Sequence, residues 1–181
     1  PLFIPGSRER ILSHSPSGKV PCLIDHGFTV WDSVAIGEYL AEKRPGLLPG
    51  DPVARAMARS VTAEMHSGFQ NLRSRMPMNV RKDYTGFGHS DEVDEDIARI
   101  IAIWNDCRAR FGADGPYLFG RFSLADAAFA PVALRFQTYP VKPERAAGEY
   151  LATLLANPHM QEWTVAARAE TESIVEEDLY G

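Results

Sequence analysis

Residues 19–33 read KVPCLIDHGFTVWDS, and the order of apolar and polar runs in them decides the fold. Pro21-Cys22-Leu23-Ile24 is a short apolar run opened by a Val-Pro pair, and Phe28-Thr29-Val30-Trp31 is a second one. His26-Gly27 between them is a tight-turn pair, so the two runs form a hairpin. The second strand leads straight into Asp32-Ser33, residue types that accept hydrogen bonds from the first unpaired N–H groups of a helix. Such a helix end carries partial positive charge and suits a carboxylate, and a serine hydroxyl beside it adds a donor.

Outward from the hairpin, residues 7–12 predict a short helix, and residues 1–5 read as the end of an earlier strand. Downstream, Ile36, Tyr39 and Leu40 share one face of a helix that ends near Lys43-Arg44. Residues 45–52, PGLLPGDP, then concentrate three prolines and two glycines, which break helix and strand alike. The domain boundary is placed there, giving a first domain over 1–46, a linker over 47–52 and a second domain over 53–181.

Nothing beyond the linker reads as strand. Met57, Val61, Met65, Phe69, Leu72 and Met76 recur at steps of three or four, which predicts one long helix closed by Pro77. A second helix runs from Asp91 to Gly112, with Val93, Ile97, Ile100, Ile101, Trp104 and Phe111 facing inward. Ser123, followed three residues later by Asp126, forms a capping box with Asp in place of Glu. The helix it opens is apolar almost all round and belongs inside a bundle, with Pro131 expected to kink it. Two further helices are predicted over 144–155 and 157–170, the latter with Asn157 as cap and Pro158 at its first position. The tail Glu176-Glu177-Asp178 is acidic and is expected to fray.

Composition narrows the function. A chain of 181 residues with 45% hydrophobic content buries a full core. Net charge is −5 with no Lys/Arg-rich run, which argues against a nucleic-acid partner. No apolar stretch reaches the roughly 20 residues that span a bilayer, and residues 1–10 lack the features of a signal peptide, so a cytoplasmic protein is expected. Cys22 and Cys107 stand apart, with no CxxC or Cys/His cluster, so neither a metal site nor a disulfide framework is predicted.

Four pieces in order, SPSGKVPCL (15–23), DSVAIGEYL (32–40), the Pro-rich linker and FSLADAAFAPV (122–132), resemble the glutathione S-transferase family from about Ile11 to the end. The resemblance implies an α/β thioredoxin-like N-terminal domain followed by an all-α helical-bundle C-terminal domain, mostly α overall. It implies glutathione as co-substrate, no metal, a small hydrophobic electrophile and a homodimer. In the family the Val-Pro proline is cis, and the residue before it pairs with the cysteinyl part of glutathione; Val20 and Pro21 fall there. Ser33 falls on the serine that holds the γ-glutamyl carboxylate, Asp32 on the acidic residue near the amine, and Lys19 on a position reaching the glycyl carboxylate. The family begins with a strand and helix carrying the thiol-activating residue. Roughly thirty residues of that kind have no counterpart here, so the N-terminal domain reads as lacking its first strand and helix, and no catalytic residue is assigned.

The resemblance also places the first long helix of the second domain beside the thiol, which makes His66, Phe69 and Arg73 candidates for the electrophile pocket. Ordinary roles compete with these. Ser33 can serve as a helix cap, Lys19 as a solvated surface charge, and Met65 and Phe69 as core. Ser123 and Asp126 are folding devices, since no histidine is placed to complete a triad. The function expected is glutathione transfer to a small hydrophobic electrophile. The alternatives are a glutathione-dependent isomerase or dehalogenase, a non-catalytic interaction module of the same fold, and a redox protein using Cys22.

Overall fold

A computed structural model describes residues 4–172, 174 and 178–180. They divide into two units, Pro1–Leu47 and Leu48–Gly181. Of residues 1–5, expected as the end of an earlier strand, 1–3 lie outside the described residues, as do Glu176 and Glu177 of the acidic tail, and Ile4 and Pro5 form a bend and turn leading into a helix rather than a strand.

The first unit contains α1 (Ser7–Leu12), β1 (Cys22–Asp25), β2 (Phe28–Trp31) and α2 (Ser33–Lys43). The two strands pair antiparallel from Cys22 opposite Trp31 to Asp25 opposite Phe28, so the loop is His26-Gly27 alone. Both loop residues have positive φ, 48° and 83°, as a type I′ turn requires, and glycine takes that conformation without steric cost. Helix α2 returns across the hairpin and is tied to it at the turn. The Tyr39 hydroxyl donates to Asp25 Oδ2 at 2.7 Å, and the Lys43 ammonium binds the same oxygen. That pairing holds the Asp25 carboxyl below its ordinary value of 3.8. Cys22 is half-buried, and its thiol donates to the His14 carbonyl at 3.4 Å.

The second unit is helical: α3 (Pro52–Ser67), α4 (Gln70–Arg75), α5 (Asp91–Phe111), α6 (Leu124–Thr138), α7 (Arg145–Leu155) and α8 (Pro158–Ala169). Trp104 sits at the middle of the core, edge-on to Phe129 and Tyr150 with ring centroids 5.8 and 5.0 Å away. Of the residues predicted to face inward on α5, Val93, Ile97, Ile100 and Trp104 are buried, while Ile101 and Phe111 are half-buried. Ile103 and Cys107 join them from the same helix, and burial pushes the Cys107 thiol up to about 12. The capping box is present. Asp126 is fully buried and accepts from the Ser123 N–H at 2.7 Å, the Ser123 hydroxyl at 2.9 Å and the Leu118 N–H at 3.1 Å. Burial outweighs these donors and raises the Asp126 carboxyl above its usual range.

Two expectations are corrected. The single long helix expected through Met57 to Met76 and closed by Pro77 is two helices, because the chain breaks at Gly68 and Phe69. Gly68 caps α3, and a Cβ there would stand 2.7 Å from the Glu64 carbonyl oxygen; Phe69 turns left-handed at φ 59°. The apolar stripe continues through the break, since Phe69, Leu72 and Met76 are all buried, which is why periodicity alone reads one helix. Residues 77–90, with no periodic pattern, carry Tyr84 deep into the core at 3% exposure. The tail is also better held than expected at its end: Asp178 accepts from the Tyr84 hydroxyl, and the Tyr180 hydroxyl donates to the Arg75 carbonyl at 2.7 Å.

Candidate functional site

In the first unit the Val20-Pro21 peptide is cis, and Pro21 directly precedes β1. The strand ladder begins at Cys22, so the backbone of Val20 lies outside it, and the Val20 side chain is exposed. Lys19 is exposed, and its N–H donates to the Ser17 hydroxyl at 3.2 Å.

At the end of β2 the chain enters α2 through Asp32, which adopts φ 74° and ψ 132°. A non-glycine residue held at that φ costs on the order of 1–3 kcal/mol and persists where its surroundings fix it. What fixes it is the cap: Asp32 Oδ1 accepts from the Val34 N–H at 2.9 Å and the Ala35 N–H at 3.3 Å. Ser33 is the first helical residue and is exposed, so its hydroxyl and N–H stand at the positive end of an eleven-residue helix. Val20, Pro21, Asp32 and Ser33 thus occupy the start of β1 and the junction after β2. Cys22 pairs with Trp31, and this register brings those two places to one end of the hairpin. A carboxylate could be met by the Ser33 hydroxyl and helix end, and an extended peptide backbone by Val20. The residues present therefore fit a small peptide with a carboxylate.

In the second unit Met65, Phe69, Leu72, Arg73, Pro131, Val132 and Arg135 line a small recess of about 30 Å³. Phe69 serves both the recess wall and the core. Arg73 has a structural task that sequence reasoning missed. Its guanidinium gathers the carbonyls at the end of α3, with Nε donating to Gly68 O at 3.0 Å and Nη2 reaching Met65 O and His66 O. A broken helix leaves such carbonyls without partners, and the cation also suits the negative helix end. Arg135, also missed, donates from Nε to the Met76 carbonyl at 2.8 Å and from Nη1 to the Pro131 carbonyl at 3.2 Å. Its signal lay in an arginine on an otherwise apolar central helix. His66 is exposed on α3 and does not contribute to the recess wall. Among the described residues no cluster of His, Cys, Asp and Glu could hold a metal, and no helix is long and apolar enough to cross a membrane.

Comparison with known proteins gives this geometry a family. Residues 2–43 match the glutathione S-transferase N-terminal domain, and residues 88–165 match the glutathione S-transferase C-terminal domain. The chain is 35% identical over 85 residues to a probable maleylacetoacetate isomerase of Caenorhabditis elegans, covering 45% of this chain and 40% of that protein. It is 29% identical over 147 residues to the maleylacetoacetate isomerase of Rattus norvegicus, covering 74% of this chain and 61% of that protein. It therefore spans between 40% and 61% of the length of these two curated relatives. Among solved structures, a Tau class glutathione S-transferase from mango superposes with a TM-score of 0.67 at 18% identity, over 93% of this chain and 81% of that one. A glutathione transferase homologue from Burkholderia with bound glutathione gives 0.61 at 23% identity, over 85% and 75%. With both of its domains matched in order and the fold shared, the chain belongs to the glutathione S-transferase family.

Proposed function

We propose that the protein is part of a glutathione-dependent enzyme that isomerises a small unsaturated carboxylic acid, as the names of its curated relatives suggest for them. The observation that carries this reading is their agreement: relatives from rat and Pseudomonas aeruginosa, at 29% and 36% identity, are named maleylacetoacetate isomerase, and one from nematode, at 35%, is named a probable one. Bound glutathione would supply a thiolate that adds reversibly to a conjugated double bond, permits rotation and departs unconsumed. The residues proposed to hold it are Val20 and Pro21 at the cysteinyl backbone, Ser33 and the α2 N-terminus at the γ-glutamyl carboxylate, Asp32 near the amine, and Lys19 at the glycyl carboxylate. Holding the tripeptide at both ends fixes the sulfur, and positioning of this kind is a large part of what such a protein contributes.

Conjugating transfer to a hydrophobic electrophile is the second reading, favoured by the likeness to proteins named glutathione transferases. A homodimer is part of the proposal in either case. The two reactions differ in thiol balance. With glutathione and a cis-enone dicarboxylate, the isomerase reading expects substrate to convert while free thiol stays constant. Loss of one thiol per substrate converted would instead establish conjugation.

A further inference from the structure

Between α1 and β1 the chain reads Ser13-His14-Ser15-Pro16-Ser17-Gly18-Lys19-Val20, and this loop is fastened to its surroundings. The Ser15 N–H donates to the Ile11 carbonyl at 2.7 Å, and Ser15 is buried. The Gly18 N–H donates to the Ser15 carbonyl at 3.0 Å, and the Cys22 thiol on β1 reaches the His14 carbonyl. Gly18 turns at φ 65°, a conformation glycine takes without strain, and a Cβ there would stand 3.2 Å from Leu12 Cδ2.

Two hydroxyls are chained within it. Ser15 Oγ and Ser17 Oγ lie 3.0 Å apart, and Ser17 Oγ accepts from the Lys19 N–H at 3.2 Å. A hydroxyl has one proton and two lone pairs, and either serine could donate across the contact. Burial decides the direction. Ser15 is shut off from water, so leaving its proton without an acceptor is costly, whereas exposed Ser17 can give its proton to solvent or to a ligand. The chain therefore runs from the Ser15 O–H to Ser17 Oγ, and the Lys19 N–H fills the second lone pair of Ser17. Its remaining capacity is as a donor, two residues before the exposed Lys19.

On the glutathione reading above, on which this rests, we propose that Ser17 donates its hydroxyl proton to the glycyl carboxylate alongside the Lys19 ammonium, and that buried Ser15 is the positioning residue that leaves Ser17 a donor. A hydroxyl with both lone pairs filled, beside a cation, suits an anionic end far better than a neutral one. Ser17 thus makes the site select for the charge at the glycyl end of the tripeptide.

Calorimetric titration of the full chain with glutathione and with its glycinamide, which keeps the tripeptide but removes the charge at that end, tests this. Wild type is expected to bind glutathione about tenfold more tightly than the glycinamide. Ser17→Ala should weaken glutathione about fivefold and the glycinamide less than about twofold. Ser17→Thr, which keeps the hydroxyl, should stay within about twofold of wild type for both, and Ser15→Ala should weaken glutathione by an amount between the two Ser17 variants. Equal weakening of both ligands by Ser17→Ala marks a merely structural role and overturns the proposal, as does a Ser17→Ala protein that binds glutathione as tightly as wild type; in both cases the glutathione reading stands. A wild type that binds neither ligand overturns that reading and the proposal with it.

Discussion

At the scale of single residues, Asp32 carries two tasks that can be separated. Its Oδ1 caps α2 through Val34 and Ala35, while its charge is proposed to face the glutathione amine. Asp32→Asn keeps an acceptor at the cap but removes the charge, and Asp32→Ala removes both. Loss of the cap is expected to cost about 1 kcal/mol. Urea denaturation should therefore show Asp32→Ala destabilised by about that much with Asp32→Asn close to wild type, while both weaken glutathione binding. Equal stability of all three proteins would mean that the cap does not hold the strained φ of 74°. This junction was legible in the sequence, because Asp-Ser after an apolar strand has few other meanings. The task of Arg73 was not, since nothing local announces that a guanidinium will gather the carbonyls of a helix that ended six residues earlier.

At the scale of elements, what periodicity encodes and what it cannot encode meet at Gly68. The hairpin, α2, α5 and α6 follow from signals within a few residues of each element: a His-Gly turn, an Asp-Ser cap, an apolar stripe, a capping box. The break between α3 and α4 leaves the stripe intact and rests on a close approach that only glycine permits, with 2.7 Å from a would-be Cβ to the Glu64 carbonyl oxygen. Gly68→Ala should then destabilise the protein by about 2 kcal/mol through overpacking against backbone that cannot move aside. The urea midpoint checks this, and a neutral or stabilised variant would show that α3 can continue through the position. Residues 77–90 were illegible for a related reason. Their order comes from Thr138, Tyr139 and Arg168, donors more than fifty residues away in sequence.

At the scale of the whole molecule, the helical unit concentrates groups whose neutral forms are favoured by folding. Burial, aided by the Asp178 carboxylate, pushes Tyr84 from 10.0 up to about 12, and burial pushes Cys107 from 9.0 up to about 12. Tyr139 and Tyr150 are raised in the same direction. Each is an acid whose folded-state pKa exceeds its unfolded one, so its contribution is complete below the unfolded value and is lost as pH rises toward the folded one. The urea midpoint should hold steady up to about pH 9 and fall progressively between about 9 and 12, and Cys107→Ala should remove the earliest part of that fall. The two-unit architecture was readable from the Pro-rich stretch at 45–52, whereas these shifted groups depend on burial that only the folded chain defines. The central claim is that the hairpin and the α2 N-terminus hold glutathione, and calorimetric titration of glutathione into wild type and Ser33→Ala tests it most directly. Binding in the micromolar to millimolar range, weakened about tenfold in a Ser33→Ala protein with unchanged circular dichroism, is the predicted result, equivalent to about 1.4 kcal/mol for a lost charge-assisted hydrogen bond. No binding by a well-folded wild type, or equal binding by both proteins, would contradict it.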